Sequence, residues 1–145
     1  MYGLHNKLPR LKASNHTLTS PATDEYNCIG WAAGEDDRWW WPFGDYYYWP
    51  EGVQVANTVD AFVEAFATLG YKRCESGGLD QGLEKVAIYA RNGLVTHMAR
   101  QLDTGRWTSK LGNMFDIEHE NLPVVSGGIY GAIAEILARD RPQTP

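Results

Sequence analysis

The sequence predicts an α+β domain in which two helices precede a small antiparallel sheet and a third helix closes the chain. Three observations carry this: an amphipathic stripe over residues 57–70, alternating apolar residues on both sides of Asn92-Gly93, and a helical spacing of apolar residues over 128–139. Helices first and strands afterwards is the order of an α+β domain rather than of repeated βαβ units.

The elements follow in chain order. Residues 1–23 hold Pro9, Pro21 and many Ser, Thr and Asn without a period, which reads as an extended arm ahead of a single domain over 24–141. Asn27 is a favoured N-cap type; Ile29, Ala32 and Ala33 supply a buried side and Gly34 a stop, so Cys28 falls in the first turn of a short helix. Val59, Phe62, Val63, Phe66 and Leu69 form a stripe at i, i+3, i+4 and i+7, with Asn57 as cap and Gly70 as stop. Cys74 falls in a strand behind this helix. Val86, Ile88 and Ala90 alternate, Asn92-Gly93 is a two-residue hairpin turn, and Val95 to Leu102 returns as a strand. Asp103-Thr104-Gly105 turns the chain into a third strand, Arg106 to Leu111. Ile129, Ile133, Ile136 and Leu137 then predict a closing helix over Gly128 to Arg139, with Pro142 beyond it and a frayed end at Arg141 to Pro145.

A chain of 145 residues buries a self-sufficient core, so no metal or disulfide is needed for folding. The net charge of −5 argues against nucleic acid and anionic membrane surfaces as partners. No run approaches the ~20 apolar residues of a membrane span, and Met1 to Ser20 lacks a signal-peptide core, so the expectation is a soluble, cytoplasmic protein. Cys28 and Cys74 should then be free thiols, a single bridge being the alternative. Together with His97 and His119 they lack the close spacing of a zinc site, and no cofactor is expected.

A cysteine attacks carbonyl carbon as thiolate, and a helix first turn and a nearby imidazole are two devices that lower its pKa. Cys28 has the first. Simple alternation places His97 within a strand on the face of Val95, Ala99 and Gln101, where it is either the partner of Cys28 or a satisfied core residue.

Tyr26-Asn27-Cys28-Ile29-Gly30-Trp31 and, after a strand and a turn, Thr96-His97-Met98-Ala99 resemble the NlpC-type branch of the papain-like cysteine peptidases and amidases. The resemblance implies a papain-like core and acyl transfer on a peptide or amide substrate, peptidoglycan peptides included. Cys28 would be nucleophile and His97 general base and acid, with the Cys28 N–H and the Tyr26 hydroxyl as oxyanion donors. Ser109 is the positional match for the third member, although Asp116, Glu118 or His119 can also take that role. Asn27 and Ile29 depart from the family pattern of Asp before the cysteine and a small polar residue after it. The chain also resembles a group of uncharacterised bacterial proteins with the blocks Asn27–Ala32, Asp37–Pro42, Trp107–Gly112 and Asp116–His119, which brings no activity.

The rings of Trp39-Trp40-Trp41 and Tyr46 to Trp49 cannot all enter one core, because neighbours in extended chain point to opposite faces. Trp31, Trp39, Trp40 and Trp41 are candidates for a substrate wall beside Cys28. The alternatives are a satellite core, or a non-catalytic domain that holds a protein or glycan partner through this loop.

Overall fold

Asn92 and Gly93 both take positive φ, 54° and 79°, as a two-residue hairpin turn requires. They join β3 (Leu83–Arg91) to β4 (Leu94–Gln101), the centre of a seven-stranded antiparallel sheet. The other strands are β1 (His16–Ser20), β2 (Lys72–Cys74), β5 (Trp107–Lys110), β6 (Asp116–His119) and β7 (Ala132–Asp140), in the order β1-β6-β5-β4-β3-β7-β2. The computed structural model describes residues 7–112 and 114–141. The start of the N-terminal arm and residues 142–145, where the sequence predicts a frayed end, lie outside these residues. None of the described helices is long and apolar enough to cross a membrane.

This corrects the expected fold class. The architecture is mainly β, not an α+β papain-like core of N-terminal helices on a small sheet. The expected closing helix over Gly128 to Arg139 is a glycine loop followed by β7, which pairs with both β3 and β2. A register slip explains the misleading period. Ile88 pairs with Glu135 and Tyr89 with Ile133, so Ala134 is an unpaired bulge residue. Skipping it puts Ile133 and Ile136 on one face, three apart as in a helix. Part of the arm is also a strand, since His16–Ser20 pairs with β6 at the sheet edge.

Helix α1 (Cys28–Ala32) is capped by Asn27, as expected. Helix α2 (Val59–Ala67) is capped by Thr58, whose hydroxyl accepts from Ala61 N at 3.1 Å. The expected cap Asn57 instead ties the loop to β4, its Oδ1 accepting from Val95 N at 2.9 Å. Ala61, Phe62, Ala65 and Phe66 of α2 are buried. They join Ile29, Trp40, Tyr71, Val86, Ile88, Val95, Met98 and Leu137 in an apolar cluster on one face of the sheet. A second cluster holds Ala87, Tyr89, Ala99, Trp107, Ile117 and Tyr130 on the opposite face. Burying an aromatic such as Phe62 contributes roughly 3 kcal/mol, so the two clusters are the main stabilising term.

Candidate functional site

Cys28 opens α1, and one side chain sets its position. The Asn27 Oδ1 accepts from Gly30 N at 2.9 Å and from Trp40 N at 3.1 Å, while its Nδ2 donates to the Trp40 carbonyl at 2.8 Å. The helix tip and the tryptophan segment are thereby locked together. Both cysteines are free thiols. Burial pushes the Cys28 thiol up to about 11, against the opposing backbone N–H groups of Met98, Cys28 and Ile29 and the charge of Lys110. A five-residue helix has too few aligned peptides to offset that desolvation. The thiol of lowered pKa expected from the sequence is therefore not what this site holds.

His97 is fully buried on β4. Tyr89 pairs with His97 and Ala90 with Val95, so Thr96 is a bulge and alternation breaks there. Val95 consequently packs in the α1/α2 cluster, whereas His97 lies on the face of Ala99, against Tyr89 and Tyr130. Placing His97 and Val95 on one face is corrected. The imidazole stacks on Tyr130 at 4.1 Å with only 10° between planes.

The expected third member is in contact. His97 Nε2 lies 2.9 Å from Ser109 Oγ, which lies 2.8 Å from His119 Nε2, and His119 Nδ1 lies 2.8 Å from the Asn121 carbonyl. Burial pulls His119 down to about 4 and His97 well below 6.5, so both rings are neutral near pH 7. The chain of bonds then has one solution. Asn121 O only accepts, so His119 Nδ1 carries the proton and its Nε2 is bare; Ser109 gives its only proton to that nitrogen and accepts from His97 Nε2–H. His97 Nδ1 is left as a bare, buried acceptor with no hydrogen-bond partner among the described residues.

No hydrogen bond joins Cys28 to His97 among the described residues. Cys28 packs against the α1/α2 cluster, whereas His97 lies against Tyr89 and Tyr130 of the opposite cluster; Met98 and Tyr130 are the residues that relate the two. The Met98 N–H that favours the thiolate belongs to the residue after His97. Tyr130 is the other link: its ring covers the imidazole, and its phenol is raised first by burial and then by the Cys28 charge.

The remaining candidates separate from this group. Tyr26 donates its hydroxyl to Asp116 Oδ2 at 2.5 Å. Its proton is thus committed elsewhere than to an oxyanion, and Asp116 serves Tyr26 rather than His97. Lys110 stands 5.1 Å from the Tyr26 ring and donates to the Met114 carbonyl. Trp31 stacks on Tyr26 at 5.3 Å and donates to Thr108 Oγ1 at 2.9 Å. Trp40 is a core residue, 1% exposed, with its ring 5.5 Å from Phe66. Neither Trp31 nor Trp40 lines the cavity at Cys28. That cavity, of about 570 Å³, is lined by Trp39, Trp41, Tyr47, Asp24, Asn27, Thr96 and Gly112 as well as Cys28. The tryptophan segment is thus split between core and cleft.

Thr96 and Tyr130 were not legible as site residues; the only signal for Tyr130 is an aromatic in the glycine-rich run Gly127 to Gly131. No three His, Cys, Asp or Glu side chains among the described residues converge as a metal site. A family model, described as a domain of unknown function (DUF7689), matches residues 17–138. The chain belongs to this family. The DUF7689 match runs from β1 into β7 and takes in the whole of the site just described. No curated protein and no solved structure matches the chain.

Proposed function

We propose that this DUF7689 domain is a cysteine hydrolase that cleaves amide bonds of peptides, cell-wall peptides among them, in a reducing compartment. The bare Nδ1 of His97, held in one tautomer by Ser109 and His119, carries the proposal. A neutral thiol and a neutral imidazole act by proton transfer rather than as a preformed ion pair. As Cys28 sulfur bonds to the carbonyl carbon, its proton passes to Nδ1; the amine departs with that proton, and the acyl group stays on sulfur. Water then gives a proton to Nδ1 and attacks the thioester, releasing acid and free thiol. The developing oxyanion faces the N–H groups at the α1 tip. Ser109 serves as a positioning residue. This chemistry is supported on a mainly-β frame and does not require the papain-like fold.

The probe is p-nitrophenyl acetate, read by intact mass. The expected result is acetylation at Cys28 and none at Cys74, slowed at least about 100-fold in His97→Gln, the usual worth of a general base. Equal rates in both proteins would overturn the assignment. The second reading, a binding domain, is favoured by the thiol at about 11 beside an aromatic cavity; it predicts labelling of Cys28 slower than that of Cys74 and unchanged in His97→Gln.

A further inference from the structure

The chain has eight arginines, and their partners sort them. Arg38, Arg73, Arg106, Arg139 and Arg141 each pair with a carboxylate. Arg100 lies against the Trp31 ring, 5.5 Å from its centre. Arg10 and Arg91 have no carboxylate partner among the described residues, and both line the same open cleft of about 860 Å³. In an acidic chain, two unpaired guanidinium groups in one cavity, with no carboxylate on its walls, form an electropositive site that attracts anions.

The cleft is built rather than incidental. Ser126 Oγ accepts from Arg10 Nη1 at 3.1 Å and itself donates to the Pro123 carbonyl at 2.9 Å. The guanidinium lies on Gly127, where a Cβ would come within 3.2 Å of Nε. Gly131 presses against the end of β3, where a Cβ would run into the Ala90 carbonyl and stand 2.9 Å from Arg91 Cβ. Gly128 likewise has no room for a side chain against the Lys7 carbonyl. The missing side chains let the loop over 126–131 draw the two arginine-bearing segments onto one cavity.

We propose that this cleft binds a small, multiply charged oxyanion clamped between Arg10 and Arg91. Guanidinium is suited to this because its planar fork matches carboxylate and phosphate oxygens in bidentate fashion. The same loop carries Tyr130, whose ring covers His97 and whose carbonyl accepts from Thr96 Oγ1 at 2.5 Å. A bound anion would therefore brace the loop that covers the imidazole, yet the site stands independently of any chemistry at Cys28.

The test is calorimetric titration of the full chain with pyrophosphate and, separately, with citrate. Saturable binding by at least one is expected, and the tighter of the two identifies phosphate or carboxylate as the natural group. Arg91→Gln should weaken it about ten- to a hundredfold, the worth of a charge-assisted bond. Arg10→Gln should do the same, while Arg91→Lys retains part of the affinity and Cys28→Ser all of it. Urea midpoints confirm that each variant is folded. Absence of saturable binding by both anions, or unchanged affinity in the folded Arg91→Gln protein, would overturn the site.

Discussion

An aspartate at position 27 would cap α1 as well as asparagine does, because capping uses only the side-chain oxygen. What the amide adds is Nδ2, which donates to the buried Trp40 carbonyl at 2.8 Å. A carboxylate there would set a negative charge against a carbonyl oxygen in a site only 7% exposed. Asn27→Asp is therefore expected to destabilise the protein by roughly 2–3 kcal/mol, read from the urea midpoint, whereas loss of a simple cap costs about 1 kcal/mol. A change below about 0.5 kcal/mol would show that the Trp40 bond is not made in solution. The departure from the cysteine-hydrolase pattern at this position thus has a structural cause. The meeting of His97 with Ser109 was legible from strand register; that of Cys28 with His97 was expected from chain order, and no hydrogen bond joins them among the described residues. The tautomer that leaves Nδ1 bare was not legible, since it depends on a serine, a histidine and a carbonyl 12 to 24 positions away.

At the level of elements, two bulges decide which side chains share a face. Thr96 turns Val95 into the α1/α2 cluster while His97 stays beside Ser109, and its hydroxyl ties the hairpin to the Tyr130 carbonyl at 2.5 Å. Deleting Thr96 leaves Val95 opposite Ala90 and His97 opposite Tyr89, each on its present face, and removes the hydroxyl that bonds the Tyr89 and Tyr130 carbonyls. The deletion should cost roughly 2 kcal/mol, from those two hydrogen bonds, and slow acetylation of Cys28 by freeing the Tyr130 loop that covers His97. Thr96→Ser, which keeps the hydroxyl, should leave acetylation close to that of the parent. Equal acetylation in the deletion protein would mean that the Thr96 bond to the Tyr130 carbonyl does not position His97. The hairpin and α2 were legible because their signals are local: a turn dipeptide with positive φ and a clean 3.6-residue stripe. β7 was not, because a strand interrupted at Ala134 repeats its apolar residues with a helix-like spacing, and only pairing with β2 and β3 decides between the two.

Across the whole molecule the two sheet faces differ in kind. The face packed by α1 and α2 is aromatic and aliphatic, whereas the opposite face buries His97, Gln101, Ser109 and His119 among its apolar residues. Acid should attack the second face first. Both histidines are held below their ordinary value by burial, His119 at about 4, so below pH 6.5 the unfolded chain takes up protons that the folded chain refuses. Stability is accordingly complete above pH 6.5 and is lost as pH falls toward 4; the shift of His119 alone corresponds to roughly 3 kcal/mol. His97 adds in the same direction. Glu84, kept low by Arg139 despite its own burial, contributes a further loss only below the ordinary carboxylate range. Urea midpoints measured from pH 7 to pH 4.5 should therefore fall steadily, and His119→Gln should flatten that slope while lowering the plateau at pH 7. A flat profile in the parent protein would mean that the His97, Ser109 and His119 relay accepts protons as readily folded as unfolded.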